Sequence, residues 1–213
     1  MLITRDLLLS ALAVPVRVRS TLDVRGAAPA AVAVLVRLAP EPTATLALRA
    51  STLRDHAGEV GFPGGKRDPS DPDLVYTALR ELEEEVAIGA AEVEVLGALS
   101  PVPVITGRYL IHPYLVLLGS DRLPRVASPE IARLLDVPLL PWITGAAPIR
   151  GIAVEVGGER HITPHFDLDG CVLYGASAYI FYELLLKLAG ALGRELPEPV
   201  IQAELPWGNR YDA

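Results

Sequence analysis

Residues 59–86 read as a short strand, a paired-glycine turn and a helix in close succession, and any fold open to this chain has to accommodate that unit. Glu59 to Phe62 is the strand, Pro63-Gly64-Gly65 ends it, and Asp73 to Val86 carries the apolar period of a helix. Within the helix, Arg80-Glu81-Leu82-Glu83-Glu84-Glu85 places four acids in five residues. Advancing about 100° per residue puts Glu81, Glu84 and Glu85 on one arc of about 100° and Glu83 on the opposite side. Val75, Ala78, Leu79, Leu82 and Val86 form an apolar stripe beside that arc.

Three carboxylates on one face repel one another at i,i+3 and i,i+4. The helix carries no lysine to relieve them, only Arg80. Spacing alone leaves two readings open, a solvated acidic face and a face that gathers divalent cations. Magnesium is typically held by few carboxylates together with substrate phosphates, which separates a catalytic phosphate site from a storage cage. The preceding loop, Phe62-Pro63-Gly64-Gly65-Lys66-Arg67-Asp68, favours the second reading. Its glycines let a ligand approach the main chain, although the Gly-Lys-Ser/Thr ending of a P-loop is missing.

Composition bounds the rest. The chain has 213 residues of which 51% are hydrophobic, which excludes disorder as the dominant state and predicts one large domain. Cys171 is the single cysteine, so no disulfide framework is available and a reducing interior is permitted. A net charge of -7, from 26 acids and 19 Lys+Arg, opposes nucleic-acid binding. No apolar targeting segment follows Met1 to Arg5, and Tyr211-Asp212-Ala213 matches no peroxisomal address. The most apolar stretch, Cys171 to Leu192, contains Glu183 and Lys187; its uncharged run from Gly170 to Tyr182 is shorter than the roughly 20 residues of a membrane span. No membrane contact and a cytoplasmic location are therefore expected.

Pro and Gly punctuate the chain into short elements. A helix is predicted over Leu7 to Leu12, and a hairpin of Ala31 to Leu38 with Thr45 to Arg49 turns at Pro40-Glu41-Pro42. Further strands are predicted at Val93 to Leu99 and Pro113 to Leu118. Ile152 to Val156 and Arg160 to Thr163 form a second hairpin about Gly157-Gly158, and Leu173 to Leu188 is the last helix. The expected class is α/β, a mixed sheet sandwiched between helices. Residues 1–193 form a single domain with an N-terminal helix and a C-terminal helical extension, and 194–213 a Pro-rich tail expected to be extended and mobile.

These residues resemble the Nudix hydrolases, whose box reads G-x5-E-x7-R-E-U-x-E-E-x-G-U with U apolar. Arg80-Glu81-Leu82-Glu83-Glu84-Glu85-Val86-Ala87-Ile88 matches its second half, with Ala87 in place of glycine. In the first half, counting from Gly65 reaches Asp71 where the box has glutamate, one extra residue precedes Arg80, and Asp68 is the alternative acid. Upstream, Arg49-Ala50-x-x-x-Arg54-x-x-x-Gly58-x-x-x-Phe62-Pro63-Gly64-Gly65 is similar to the signature of the coenzyme A pyrophosphatase branch. Thr45-Leu46-Ala47-Leu48 matches the start of that signature loosely. Thr77-Ala78-Leu79, Leu99-Ser100-Pro101, Thr106-Gly107 with Pro113, and Tyr174-Gly175-Ala176-Ser177-Ala178 also resemble that branch.

The resemblance implies a Nudix α/β/α sandwich and hydrolysis of coenzyme A, or its oxidised or acyl forms, to 3′,5′-ADP and 4′-phosphopantetheine with Mg²⁺ or Mn²⁺. It implies Glu81, Glu84 and Glu85 as metal ligands and Arg80 as the residue that orients them. Arg49, Arg54, Gly64, Gly65, Lys66 and Arg67, with Arg108, become candidates for contacting the substrate's phosphates, because guanidinium binds them in a fork. ADP-ribose, NADH or an oxidised nucleotide are alternative substrates, and a nucleotide-binding sensor without catalysis is the alternative class. The general base is not identified, and a homodimer is compatible with the reading.

Other signals are weaker. Pro164 separates His161 from His165 and argues against a zinc pair on one helix face. His56 is a substrate contact or a turn residue, and Asp167-x-Asp169-Gly170 is a turn that lacks the later glutamate of a calcium loop. Cys171 reads as a small core residue. Tyr174, Tyr179, Phe181 and Tyr182 read as core, with a groove for the pantetheine arm as the second option.

Overall fold

A computed structural model describes residues 2–16, 25–156 and 158–206. Gly157 and residues 207–213, and with them the expectations for the second hairpin's tip and for the extreme C-terminus, lie outside the described residues.

The first long strand, β1 (Ala28–Arg37), alternates its side chains across the sheet, and both faces are covered. Ala31, Ala33 and Leu35 pack under the helix α2 (Leu74–Val86) against Ala78, Leu82 and Val86. Val32, Val34 and Val36 face the other way, into a larger core closed by α1 (Arg5–Leu12), α3 (Leu140–Thr144) and α4 (Gly175–Ala191). Trp142, Phe166 and Phe181 meet edge to face in that core, with centroids 4.9–6.4 Å apart. The result is the α/β/α sandwich expected of the class.

Along β1, β7 (Tyr109–Leu118) pairs in parallel from Ala28↔Tyr109 to Val36↔Leu117, and β5 (Val93–Ala98) extends the sheet beyond β7. On the other side, β2 (Thr43–Arg49) pairs with β1 only at Val36↔Ala44 and Arg37↔Thr43, and then the two strands diverge. The wedge between them is filled by β3 (Val60–Gly61), bonded to β2, and β4 (Gly64–Lys66), bonded to β1. That wedge holds the glycine turn against the start of the main sheet. A Cβ at Gly64 would come within 2.4 Å of Ala31 O and 2.6 Å of Val32 Cα, so close strand approach requires glycine there.

Several elements exceed the sequence expectations. The strands predicted at Ala31 and Pro113 begin earlier, at Ala28 and Tyr109, because the parallel ladder continues past their apolar runs. β6 (Val102–Pro103) pairs with β7 as a short hairpin. β8 (Ile131–Pro138) pairs with all of β2, although Arg133, in phase with the buried Ile131, Leu135 and Val137, and Leu134, out of phase with them, blur its alternation. A second sheet, in the order β11-β10-β9-β12, is built from β9 (Arg150–Val156), β10 (Glu159–Leu168), β11 (Cys171–Leu173) and β12 (Val200–Gln202). β12 lies in the stretch expected to be a mobile tail and is bonded in parallel to β9, Val200 opposite Arg150. His161 and His165 sit four residues apart on a strand; His165 is buried and its Nε2 lies 2.7 Å from Gln202 Oε1. Asp169 and Gly170 turn between β10 and β11 as expected.

Candidate active site

Helix α2 starts where Asp73, in extended conformation, accepts a hydrogen bond from Tyr76 N–H at 2.8 Å, and this fixes the angular position of every carboxylate after it. Its C-terminal cap is Ala87, in the left-handed region at φ 57°, the position where the family box has glycine. The last carbonyls of the helix are satisfied by a loop: Ala127 N–H donates to Glu85 O and Arg125 N–H to Val86 O, each at 3.0 Å.

Arg80 lies at the centre of the acidic face. Its guanidinium contacts Asp71 (Nε to Oδ1 3.2 Å), Glu81 (Nη2 to Oε1 2.9 Å) and Glu84 (Nη1 to Oε2 3.0 Å). Asp71 is only 2% exposed, and it also accepts hydrogen bonds from Thr77 Oγ1 at 2.8 Å and Asp68 N at 3.0 Å. The Arg80 guanidinium holds the Asp71 carboxyl below the usual carboxylate range. Asp71 therefore occupies the place behind Arg80, and Asp68 only caps the turn through Ser70.

The three glutamates differ in depth. Glu84 is exposed, with 57% of its side chain accessible; Glu81 and Glu85 are at 18% and 9%. The Glu81 carboxylate lies directly over Gly65, where a Cβ would come within 2.4 Å of Oε1. Glu85 Oε2 accepts from Gly64 N–H at 3.1 Å, and Arg49 Nη1 lies 3.9 Å from Oε1. Burial pushes the Glu81 carboxyl up against the opposing pull of Arg80. Burial pushes Glu85 up to about 7, with the Gly64 amide opposing and Glu81 adding to the rise.

A buried carboxylate, Glu85, and a half-buried one, Glu81, lie on one helix face, each disfavoured as an anion, and form a donor set that a divalent cation would complete. Among the described residues no three His, Cys, Asp or Glu side chains form a ready metal cage. An open site held by few protein oxygens is the arrangement suited to Mg²⁺ or Mn²⁺, with water and phosphate as the remaining ligands.

The substrate candidates divide. Gly64, Gly65 and Arg49 come together with the glutamates. Lys66 points its ammonium over the Tyr109 ring, 5.1 Å from the centroid, on the side of the sheet away from α2. Arg54 is exposed in the loop between β2 and β3. Arg67 is exposed but bent back onto its own loop, donating to the Asp71 and Pro72 carbonyls at 2.9 and 3.0 Å, so it braces the loop. Glu130 was not singled out in the sequence. It precedes β8, accepts from Arg49 Nη2 at 3.0 Å, and places a further carboxylate beside Arg49 and Glu85. Its only trace in the sequence is its place just before an apolar strand.

Comparison with known proteins adds the following. The model of the NUDIX domain matches residues 28–147. A Photorhabdus laumondii protein named "Uncharacterized Nudix hydrolase NudL" is 36% identical over 155 residues, 73% of this chain and 82% of its own length. A protein of the same name from Yersinia pestis is 47% identical over 110 residues; the match spans 52% of this chain and about half, 55%, of that relative. A solved Caenorhabditis elegans Ap4A hydrolase complex superimposes with a TM-score of 0.46 at 21% identity, over 55% of this chain and 84% of that one.

Proposed function

The chain belongs to the Nudix family, and from that membership we propose that it hydrolyses the diphosphate linkage of coenzyme A, or of its oxidised or acyl forms, to 3′,5′-ADP and 4′-phosphopantetheine with Mg²⁺ or Mn²⁺. Hydrolysis of a small-molecule diphosphate follows from the family. The choice of coenzyme A is supported by one observation. Two stretches that resemble the coenzyme A branch, 49–65 and 174–178, lie far apart in sequence and meet in the fold. A Cβ built on Gly61 would stand 3.2 Å from Ser177 Oγ. The start of α4, outside the matched domain, is thereby joined to the strand that leads into the glycine turn.

Glu81 and Glu85 would hold the cation, and Glu84 would do so directly or through water. A cation held there would supply charge to neutralise the diphosphate and to lower the pKa of a water bound to it. The chain's own work is positional. Asp71 fixes Arg80, and Arg80 fixes Glu81 and Glu84. The Gly64 amide orients Glu85, and Gly65 leaves room for Glu81. Glu130 holds Arg49 with its guanidinium fork beside Glu85, within reach of phosphate oxygens. Arg54, in the loop between β2 and β3, and Lys66, at the end of β4 on the face away from α2, would supply further positive charge to parts of the substrate beyond the diphosphate.

The test is a product assay over coenzyme A species, NADH, ADP-ribose and deoxynucleoside triphosphates, each with Mg²⁺ and with Mn²⁺. The expected product is 3′,5′-ADP. If another substrate turns over while no coenzyme A species yields it, the choice of coenzyme A is wrong and the family activity stands.

A further inference from the structure

Helix α4 buries two charged residues one turn apart: Glu183 is fully buried and Lys187 is 8% exposed. Their chemistry is spent on two distant segments. The Glu183 carboxylate receives the Ser100 N–H at 3.2 and 3.1 Å and the Ser100 hydroxyl at 2.9 Å. Lys187 Nζ donates to Leu12 O at 3.3 Å and Val14 O at 2.8 Å, and lies 3.8 Å from Glu183 Oε1. Well-packed apolar residues commonly replace a buried ion pair at no loss of stability. What apolar residues could not reproduce here is the hold of Lys187 on the Leu12 and Val14 carbonyls and that of Glu183 on Ser100.

Ser100 stands at the base of the β6–β7 hairpin. Leu99 N–H bonds to Pro113 O, and Val102 and Pro103 pair with Ile111 and Leu110. The β7 arm is fixed in the main sheet by its pairing with β1 from Ala28↔Tyr109 onward, whereas the β6 arm has a ladder of just those two positions, so the path of β6 depends on how its base is held. At its far end, Val104 N–H reaches Tyr109 O, and the Tyr109 ring carries the Lys66 ammonium. Lys66 follows Gly65, which lies against Glu81. Tyr109 thus links the hairpin to Lys66, the neighbour of the glycine that lies against Glu81, and α4 holds the base of the hairpin through a carboxylate.

We infer that Glu183 is a positioning residue that sets the β6–β7 hairpin against Lys66 and thereby sets substrate affinity, leaving the hydrolytic step to the α2 carboxylates. The inference rests on the proposed diphosphate hydrolysis for its kinetic part alone.

Three variants test it in the full chain. Glu183→Gln keeps an acceptor for Ser100, Glu183→Met removes it, and Ser100→Ala removes one donor without touching the helix. KM should rise in the order wild type, Glu183→Gln, Glu183→Met, by roughly tenfold at the end of the series, with kcat within about twofold. Ser100→Ala should raise KM in the same direction, and it carries the test if Glu183→Met does not fold. Hydrogen exchange supplies a readout independent of activity: amides 102–109 should exchange faster in the variants while those of α2 do not change. A lowered melting temperature with unchanged KM and unchanged exchange at 102–109 would show that Glu183 only supports the core. If the wild-type protein hydrolyses no diphosphate, the proposed function fails, and the exchange pattern still decides this inference.

Discussion

The Glu81 carboxylate rests on the bare Cα of Gly65, so close that a methyl group at residue 65 would stand 2.4 Å from Oε1. Turn and helix were separate signals in the sequence, and this contact makes them one device. Gly65→Ala should displace the end of a flexible side chain and leave the fold in place, lowering kcat by roughly tenfold or more through misplacement of a ligand. Gly64→Ala should act differently, because its methyl would strike the backbone of Ala31 and Val32, and should lower the melting temperature first. Steady-state kinetics and thermal melts of the two variants separate these outcomes; the same pattern in both would refute the distinction.

Glu85→Gln should remove more than about nine-tenths of the activity. Without added metal it should match or exceed the wild type in thermal stability, because a buried carboxylate beside Glu81 is replaced by a neutral group. Retention of over a tenth of turnover would take Glu85 out of the metal set.

Asp71 gives a pH signature. Its folded pKa lies below the unfolded value of about 3.9, chiefly because of Arg80, with the Thr77 hydroxyl and Asp68 amide helping against burial. Its contribution to stability is therefore complete above the unfolded value and is lost as pH falls through the folded one. Asp71→Asn should be less stable than wild type at pH 7, and the gap should close on acidification below about pH 4. Melting curves from pH 2.5 to 7 would read it, and a gap that stays constant would exclude the pair as its source.

Ala87 holds a left-handed conformation that costs a residue with a Cβ about 1–2 kcal/mol. Ala87 is also 8% exposed, so glycine gives up a buried methyl worth about 0.8 kcal/mol. Ala87→Gly should raise the melting temperature slightly, by about 1–3 °C for a chain of this size. A lower value would mean that methyl packing outweighs the relief of strain.

How much was readable beforehand follows from the range of the interactions. The α2 face was legible because cap, apolar stripe and carboxylates are all set by spacing within one helix. The choice between Asp68 and Asp71 was not, since it depends on which carboxylate the half-buried Arg80 reaches. Arg67 was assigned to substrate from its charge, but two local carbonyls hold it. Glu130 was invisible because it reaches Arg49, 81 positions earlier, through the β2–β8 pairing, where Arg49 aligns with Ile131. β8 itself was obscured by Arg133, which takes a place in the inward phase of the strand, and by Leu134 in the outward phase.

The loop that closes the end of α2 sets different rules for substitution and for length. Leu123 and Val126 are exposed at 61% and 42%, so side chains there can vary freely. The amides of Arg125 and Ala127 are tied to Val86 and Glu85, and three residues later Glu130 must reach Arg49. Adding or deleting one residue between Ala127 and Glu130 would break one attachment or the other. Homologues should drift in composition across this loop while keeping that interval constant.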